Sequence, residues 1–451
     1  MTQIHIYHTN DIHSHLKSWP RTRAYLQQRR QEHASQQEAC FIFDLGDFID
    51  RADIYTEASL GSENIKLLDE AGYDAITIGN NEGITLAKEA LTMLYSHAEF
   101  DVILSNLKEL DGSQPNWAQR YKIFEVTPKI KMGVIAATAP FADYYSPLGW
   151  QIMEPIENLQ QVAMEVAPQV DFLICLSHLG LPSDEELAQL IPQLDLIIGA
   201  HTHHVLPKGK KVNHSLLTGG GKFGRYIGHS TITLQAEGKK VETMLVATDD
   251  LQHIEGETRE VMALERWGKE VLDVELFQAT RYYNKEWFHD SHLSRLFAQA
   301  LLDYSQADCT FYNAGIFLQP LQKGPVSAFD LHQMLPHPIN ACILNLTADE
   351  LLSCLQRIEA HPEWPFIAVK GLGFRGQILG KMLQYGCVIK NGELYVNGQL
   401  KKGTEIIKLV TLDLFTFGWF FPEFKAMEKK YLLPHFLRDI LSIYGYKFFG
   451  K

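Results

Sequence analysis

Side chains that can bind metal ions follow several apolar runs in the first half of the chain. These runs end in Thr9–His13, Asp44–Asp47, Gly79–Glu82, Ser177–Gly180 and Gly199–His203. Open α/β sheets place their sites in the loops that follow the carboxyl ends of strands, so we expect these five loops to converge. Their convergence would gather seven side chains in one cleft: Asp11, His13, Asp47, Asn80, His178, His201 and His203.

This combination of carboxylate, amide and imidazole ligands suits borderline divalent ions such as Zn²⁺, Mn²⁺, Fe²⁺ or Co²⁺. The mixture argues against Ca²⁺ alone, and the lack of cysteine ligands argues against a structural zinc. A bridging carboxylate can hold two cations about 4 Å apart, which lowers the pKa of bound water and clamps a phosphoryl group. The seven side chains therefore predict a two-metal phosphoesterase.

The elements that must position these ligands alternate along the first 250 residues. Buried strands are predicted at Ile4–His8, Cys40–Asp44, Ala75–Ile78, Val102–Ser105, Met132–Ala137, Phe172–Ser177 and Leu194–Gly199. Helices are predicted between them at Arg21–His33, Ser59–Ala71, Thr85–His97, Ile156–Ala167 and Ser183–Leu190. Such alternation indicates an α/β fold in which helices cover the faces of a sheet.

The chain has 451 residues, and single hydrophobic cores stop growing at roughly 250–300 residues, so two domains are expected. We predict a catalytic domain over residues 1–250, a linker helix within 251–280 and a second α/β domain over 281–451. In the second domain, helices are predicted near Ser291–Tyr304, Ala348–Glu359 and Pro434–Tyr444, and strands near Cys309–Tyr312, Cys342–Leu346, Cys387–Lys390 and Ile406–Leu412.

Composition restricts the partners and the compartment. The formal net charge is −13, which argues against binding a nucleic acid polymer but permits a small anionic substrate. No apolar run reaches the roughly 18 residues that span a membrane, and the first residues lack the features of a signal peptide. The six cysteines form no CxxC pair and lie in apolar segments, which favours buried free thiols. We therefore expect a cytoplasmic protein that does not bind membranes.

The set of ligand motifs resembles the calcineurin-like metallophosphoesterases. The first run, Ile6-Tyr7-His8-Thr9-Asn10-Asp11-Ile12-His13-Ser14-His15, is similar to the 5′-nucleotidase/UDP-sugar hydrolase branch. The resemblance implies a four-layer αββα catalytic domain, followed by a smaller C-terminal domain that binds the nucleoside. It also implies that Asp11, His13 and His203 bind one ion and that Asn80, His178 and His201 bind the other. Asp47 would bridge the two ions.

The sequence departs from this family next to Asn80. The family usually has Gly-Asn-His-Glu followed by an Asp, where the His stabilises charge on the phosphoryl oxygen and the Asp orients it. Asn81 and Ile84 stand at those two positions. Asn81 can donate a neutral hydrogen bond to the same oxygen but cannot act as an acid. Losing one charged donor typically costs roughly 10²–10³ in rate, so weakened or specialised hydrolysis is expected.

The predicted substrate contacts lie in the second domain, where the resemblance is weaker. The family's Asn-Gly-Gly-Ile-Arg-like run corresponds to Asn313–Phe317, without the arginine, and its Pro-Phe-Gly-Asn-like run corresponds to Leu335–Asn340. Phe417, Trp419, Phe420 and Phe421 follow a third family run and could supply one wall of a base clamp, since bases stack on aromatic rings. The alternative is that they belong to the core. Arg375 could contact an anion, and its alternative is a solvated loop residue. The predicted substrate-binding residues are therefore Asn313, Asn340, Arg375, Phe417 and Phe421.

Three functions remain open at this point. The first is hydrolysis of a nucleotide or related phosphate ester, with Asp47 and Asn81 as catalytic residues. The second is a phosphodiesterase or pyrophosphohydrolase acting on a cyclic nucleotide or UDP-sugar, because a better leaving group needs less electrophilic help. The third is a metal-containing nucleotide-binding protein that has lost turnover.

Overall fold

The chain folds into two compact units, residues 1–268 and 269–451. The computed structural model describes residues 2–235 and 238–450. Among these residues, no helix has both the length and the apolar character needed to cross a bilayer.

Unit 1 contains two six-stranded sheets and the helices that cover them. Its strands are β1 (Thr2–Thr9), β2 (Ala39–Asp44), β3 (Ala75–Ile76), β4 (Asp101–Val102), β5 (Leu107–Glu109), β6 (Tyr121–Thr127), β7 (Ile130–Thr138), β8 (Trp150–Ile152), β9 (Phe172–His178), β10 (Leu194–Gly199), β11 (Lys210–Val212), β12 (Ser215–Thr218), β13 (Tyr226–Gln235) and β14 (Gly238–Ala247). Its helices are α1 (Trp19–Ser35), α2 (Ile54–Ser59), α3 (Ser62–Ala71), α4 (Asn80–Thr85), α5 (Lys88–Leu94), α6 (Ala142–Tyr145), α7 (Pro155–Val166), α8 (Leu181–Leu190) and α9 (Glu257–Leu272), whose last residues cross into the second unit.

The first sheet has the strand order β14-β13-β1-β2-β3-β4, and the second has the order β11-β12-β10-β9-β7-β6. Strands β1 to β4 run parallel to one another, as do β7, β9, β10 and β12. Antiparallel strands complete the sheets: β13 pairs with β1, β6 with β7 and β11 with β12. The loops that carry the predicted ligands therefore leave the carboxyl ends of strands β1, β2, β3, β9 and β10.

The layers of unit 1 form because strands that are apolar on both faces must be covered on both sides. Along β9, Phe172, Ile174 and Leu176 pack in a core shared by the two sheets. The alternate residues Leu173 and Cys175 pack against α7 and α8 in a second core. Side chains alternate between faces along a strand, so an uninterrupted apolar run buries both faces. Helix α1 packs on β2 at the outer face of the first sheet. The predicted αββα layering is confirmed.

Two of the helices predicted for unit 1 differ from the observed ones. The helix predicted at Ser59–Ala71 is divided into α2 and α3, because Leu60 and Gly61 adopt left-handed conformations with φ of 50° and 86°. The helix predicted at Thr85–His97 is the shorter α5, which starts after Leu86 and Ala87 take extended conformations. Local apolar periodicity does not reveal such backbone breaks, which depend on the packing of the loop.

Unit 2 is a smaller α/β domain, as predicted. Its strands are β15 (Glu275–Ala279), β16 (Cys309–Asn313), β17 (Gly324–Ser327), β18 (Asn340–Thr347), β19 (Met382–Tyr385), β20 (Cys387–Lys390), β21 (Glu393–Val396), β22 (Gln399–Lys401), β23 (Ile406–Leu412) and β24 (Lys430–Phe436). Its helices are α10 (His292–Ser305), α11 (Ala328–Met334), α12 (Ala348–Ala360) and α13 (Leu437–Phe449). The central sheet has the order β19-β16-β23-β18-β24. All six cysteines of the chain are free thiols, as predicted, and five of them are buried, whereas Cys40 is half-buried.

Candidate metal centre

The predicted ligands lie on strained loops at the carboxyl end of the sheets. Five of them have positive φ angles, between 49° and 70°: Asp11, His13, Asp47, His201 and His203. A left-handed conformation is unfavourable for residues other than glycine and persists only where the surroundings impose it. Here the loops after β1 and β2 are joined by hydrogen bonds from Asp11 N to Gly46 O (3.1 Å) and from His13 N to Asp47 O (2.8 Å). Backbone hydrogen bonds between the loops therefore hold these residues in their left-handed conformations.

Two glycines allow the loops to approach each other closely. A Cβ atom on Gly79 would lie 2.1 Å from Asp47 Oδ1, and one on Gly46 would lie 2.0 Å from Gly79 N. Neither position has room for any other residue.

The Glu82 side chain holds these loops together through hydrogen bonds. Its carboxylate accepts hydrogen bonds from the backbone N–H groups of Gly79 (2.8 Å), Asp47 (2.9 Å), Phe48 (2.9 Å) and Ile49 (3.2 Å). Burial and the charge of Asp47 raise the pKa of Glu82 to about 7. In the sequence, Glu82 is recognisable only as part of the Gly79–Glu82 run, and this role was not predicted. Its position three residues after the residue that precedes α4 is the available signal, because that spacing is typical of a capping box.

The first predicted ligand group is assembled as expected. The Nε2 atoms of His13 and His203 are 3.3 Å apart. Asp11 Oδ1 lies 3.4 Å from His203 Nε2 and 3.8 Å from His13 Nε2. One carboxylate and two imidazoles therefore face a common point.

The second group surrounds His178. Its Nε2 atom is 3.5 Å from Asp47 Oδ2, while its Nδ1–H donates to Leu45 O over 2.6 Å. His201 Nδ1 lies 2.9 Å from Asn80 Oδ1. Asp47 Oδ2 is also 3.7 Å from His13 Nε2. The Asp47 carboxylate thus faces both groups, which is the placement that a bridging ligand requires.

The electrostatics of the centre show strong coupling between its groups. Burial lowers the pKa of His178, but the charges of Asp47 and Asp11 outweigh burial and raise this pKa to about 10. Burial and the neighbouring His178 lower the pKa of His201 to about 4. Burial raises the pKa of Asp47, but His178 and His13 more than compensate, so this pKa is lowered.

The residues present fit divalent cations. His178 Nε2 is buried and has no hydrogen-bond partner within residues 2–235 and 238–450, and its other ring nitrogen is committed to a backbone carbonyl. A buried nitrogen that is oriented in this way has the arrangement of a metal-ligating histidine. Carboxylates, imidazoles and one amide form a donor set for borderline divalent ions.

Asn81 contacts two members of the centre. Its backbone N–H donates to Asp47 Oδ1 (2.7 Å), and its side-chain nitrogen Nδ2 lies 2.9 Å from His13 Nδ1. If His13 Nε2 binds a cation, Nδ1 carries the proton, and the amide must present Oδ1 as the acceptor. The amide nitrogen is then left to donate elsewhere.

Three of the five predicted substrate-binding residues are buried in unit 2. The side chain of Asn313 is buried and donates to Leu379 O (2.9 Å), and that of Asn340 donates to His435 O (2.9 Å). Phe421 has 0% exposure and packs against Phe311, so it presents no ring face to a ligand in this structure. Phe421 therefore belongs to the core of unit 2, which was the alternative interpretation of these aromatic residues. Arg375 is exposed, and Phe417 is half-buried.

A cavity of about 550 Å³ in unit 2 was not predicted. It is lined by residues that include Phe288, Asp290, His361, Trp364, Phe366 and Tyr385, and by none of the five predicted residues. The rings of Phe288 and Phe366 are stacked with centroids 5.3 Å apart, and Phe366 is 68% exposed. The aromatic residues of this cavity come from three separate segments, at Phe288, Trp364–Phe366 and Tyr385, so no single local motif identifies it.

Comparison with known proteins agrees with this arrangement. Residues 4–205 match the family model for calcineurin-like phosphoesterases, and residues 270–398 match the model for the 5′-nucleotidase C-terminal domain. The chain is 37% identical to an uncharacterized metallophosphoesterase of Bacillus subtilis, YunD, over 98% of each protein. It is 20% identical to a venom 5′-nucleotidase of the snake Crotalus adamanteus, over 96% of this chain and 81% of the other.

The fold is also similar to that of a solved structure. A 5′-nucleotidase precursor from Thermus thermophilus aligns over 99% of this chain and 97% of its own, with a TM-score of 0.59 and 18% identity. Both domains of this architecture are thus present in the same order. With its ligand loops and its C-terminal domain, this chain belongs to the calcineurin-like metallophosphoesterases of the 5′-nucleotidase type, a family of metal-dependent phosphoesterases.

Proposed function

We propose that this protein binds two divalent ions and hydrolyses a nucleotide, releasing inorganic phosphate. The observation that carries the proposal is the convergence of all seven predicted ligands, with Asp47 facing both histidine groups. In this proposal Asp11, His13 and His203 would hold one ion, Asn80, His178 and His201 would hold the other, and Asp47 would contribute to both sites. Bound ions of this kind supply Lewis-acid polarisation of phosphoryl oxygens and activation of water.

The chain's own residues then position the reacting groups. The Glu82 carboxylate fixes the loop of Asp47 through backbone hydrogen bonds. His178 is held by Leu45 O, so that its Nε2 faces Asp47. With its amide reversed, so that Oδ1 accepts the Nδ1 proton of His13, Asn81 would direct its amide nitrogen toward a phosphoryl oxygen. A neutral donor at this position stabilises the developing charge without transferring a proton.

Arg375 and Phe417 are proposed to contact the substrate, because their side chains are accessible. Asn313, Asn340 and Phe421 would have to leave their buried positions to do so. We also propose a cytoplasmic location and a role in nucleotide breakdown. The support for the location is the six free thiols, since disulfides predominate in oxidising compartments.

A substrate panel tests the proposal. The purified chain is loaded with Mn²⁺, Zn²⁺, Fe²⁺ or Co²⁺ and assayed for phosphate release from nucleoside monophosphates, UDP-sugars and cyclic nucleotides. We expect metal-dependent release from a monophosphate, which Asp47→Asn lowers by ~10³-fold or more because the bridging charge is lost. Asp249→Asn, a substitution at an exposed position, is the matched control. A chain that releases phosphate from no member of the panel with any of these ions contradicts the proposal.

A phosphodiesterase or pyrophosphohydrolase is the second candidate, favoured by Asn81, which cannot act as an acid. Rates on bis(p-nitrophenyl) phosphate and p-nitrophenyl phosphate separate the two reactions, and a clear preference for the monoester rules this candidate out. A binding protein with weakened turnover is the third. Asn81→His combined with Ile84→Asp restores the His and Asp that the family has at these positions. If the wild-type protein turns over substrate faster than this double variant, the site is not weakened and this candidate is ruled out.

A further inference from the structure

The side chain of Asn10 lies inside unit 1, between the first metal ligand and a loop that follows another strand. Asn10 directly precedes Asp11 and is 4% exposed. Its amide nitrogen Nδ2 donates to Asp11 Oδ2 (2.8 Å) and to Gly221 O (2.8 Å). Its Oδ1 accepts from Gly220 N (3.1 Å). These partners fix the orientation of the amide, because Nδ2 meets two acceptors and Oδ1 meets a donor.

The Asp11 carboxylate uses its two oxygens for different contacts. Oδ1 lies 3.4 Å from His203 Nε2 and 3.8 Å from His13 Nε2, in the first ligand group. Oδ2 accepts from Asn10 Nδ2. The backbone nitrogen of His201 lies 3.2 Å from Oδ1 and 3.1 Å from Oδ2, so its N–H is shared between them. The Asn10 hydrogen bond therefore opposes rotation of the carboxylate and keeps Oδ1 directed toward the two imidazoles.

Asn10 also joins Asp11 to the loop that carries another ligand of the same group. The backbone groups that its amide contacts, at Gly220 and Gly221, lie between β12 and β13. Gly221 N donates in turn to His204 O (3.0 Å), one residue after His203. A single amide thus connects the carboxylate and the loop of one of the imidazoles that are predicted to bind the same ion.

The contact between Asn10 and Gly220 is too close for a larger residue at position 220. A Cβ atom on Gly220 would lie 2.7 Å from Asn10 Oδ1. The φ angle of Gly220 is not positive, so the glycine serves this close approach and not a left-handed turn. An alanine at this position would therefore displace the Asn10 amide while leaving its hydrogen-bonding groups in the protein.

The first ligand group depends more on such support than the second. The side chain of His203 is 30% exposed, whereas that of His178 is fully buried. A ligand that is open to solvent is less restrained by packing, so the orientation of the Asp11 carboxylate has to come from hydrogen bonds. Hydrogen-bond partners of metal ligands typically contribute roughly 10–100-fold to metal affinity. Asn10 provides this support without a charge, so it leaves the negative charge of Asp11 available to an ion.

We propose that Asn10 is a positioning residue that sets the affinity for the ion that Asp11, His13 and His203 would hold, and that it does not affect the other ion. The inference rests on the proposed function, because it requires that both ligand groups bind ions. It adds to the metal centre a residue that binds no ion itself. It also adds the segment between β12 and β13, which contributes no ligand but holds the Asn10 amide.

Metal binding without turnover tests the inference. The wild type, Asn10→Ala, Gly220→Ala and Asn106→Ala are freed of metal and titrated with Mn²⁺, and free Mn²⁺ is measured by electron paramagnetic resonance. Asn106 is the matched control, because it is a buried asparagine of unit 1 whose amide is bonded to backbone groups of Thr138 and Met153. We expect Asn10→Ala to weaken the binding of one Mn²⁺ ion by roughly 10–100-fold, and Gly220→Ala to weaken the same ion. Asn106→Ala should retain the wild-type affinity for both ions.

Removing a ligand from one group identifies which ion is affected. In a chain that carries His178→Gln, the addition of Asn10→Ala should weaken the Mn²⁺ ion that remains. In a chain that carries His203→Gln, the same addition should leave the affinity for the remaining ion unchanged, because Asn10 acts only on the group that is already disrupted.

The outcomes separate this inference from the proposed function. Wild-type affinities for both ions in Asn10→Ala and Gly220→Ala overturn the inference and leave the proposed function in place. Equal weakening of both ions overturns it as well, because that result indicates a general effect on the fold. A wild type that binds no Mn²⁺ overturns the proposed function together with the inference. Circular dichroism checks that each variant is folded, and Gly220→Ala provides the comparison if Asn10→Ala is not.

Discussion

At the scale of single residues, the metal centre depends on positions that bind nothing themselves. Gly46 and Gly79 allow two loops to approach closely. The Glu82 carboxylate accepts hydrogen bonds from backbone N–H groups of these loops. The strain in the left-handed ligands is of the order of 1–3 kcal/mol each, and the surrounding hydrogen bonds must compensate for it. Residues beside the ligands therefore determine whether the ligands converge.

Gly79→Ala tests this dependence. The new Cβ would lie 2.1 Å from Asp47 Oδ1, so either Asp47 or the loop before α4 must move. We expect a loss of activity of at least ~10²-fold and a lower metal content, because a small misplacement of catalytic groups has costs of this size. Gly72→Ala is the control, since a Cβ there meets nothing within 4 Å, although the φ of Gly72 is positive, at 76°, whereas that of Gly79 is −95°. Wild-type activity and metal content in Gly79→Ala would contradict this account.

At the scale of elements, a buried histidine in unit 2 joins three loops through hydrogen bonds. His337 precedes β18, its Nε2–H donates to Ile316 O (2.7 Å), and its Nδ1 accepts from Arg375 N (2.9 Å). The ring stacks on Phe374 with centroids 5.2 Å apart. Both ring nitrogens are used only in the neutral form, so protonation would break a hydrogen bond.

The stability of unit 2 should therefore depend on pH. Burial lowers the pKa of His337 from the ordinary 6.5 to about 3. Below about pH 6.5 the unfolded chain binds a proton that the folded chain does not, so the free energy of unfolding falls as pH falls toward 3, by at most ~1.4 kcal/mol per pH unit. Hydrogen exchange of unit 2 peptides between pH 7.5 and 5, corrected for intrinsic rates, measures this slope. His337→Gln should flatten it, whereas His289→Gln, at an exposed position of the same unit, should not. An unchanged slope in His337→Gln would exclude this cause.

At the scale of the whole molecule, the metal ligands belong only to unit 1. Five loops that are distant in sequence carry the seven proposed ligands, so bound ions would join the loops that follow both sheets. Ions that bind the folded state alone stabilise it by roughly 2.7 kcal/mol at a concentration 100 times the dissociation constant. Removal of the metal ions should therefore lower the stability of unit 1 and leave that of unit 2 unchanged.

Hydrogen exchange with and without a chelator measures this effect. After treatment with EDTA, we expect faster exchange in peptides that cover β1, β2, β9 and the loops after them. Peptides from the central sheet of unit 2 serve as the internal control and should exchange at an unchanged rate. Equal acceleration in both units, or in neither, would show that the ions do not stabilise unit 1 selectively.

The amino-acid sequence by itself determined the layered α/β fold of unit 1 and the residue types of its metal centre. Both depend on local patterns: apolar runs of strand length define buried strands, and polar residues directly after them lie at one edge of a parallel sheet. Asp11, His178 and His201 could therefore be assigned to one cleft before any contact was known. The family resemblance supplied the division of ligands between two ions.

Only the tertiary structure decided which side chains in the rest of the molecule are available for chemistry. Phe421 and Asn313 belong to runs with a functional resemblance, yet packing buries them. His5 and His229 are 224 positions apart and adjacent in space because β1 pairs with β13. Burial and long-range pairing depend on how the strands associate, and this association leaves no trace in any short stretch of the chain.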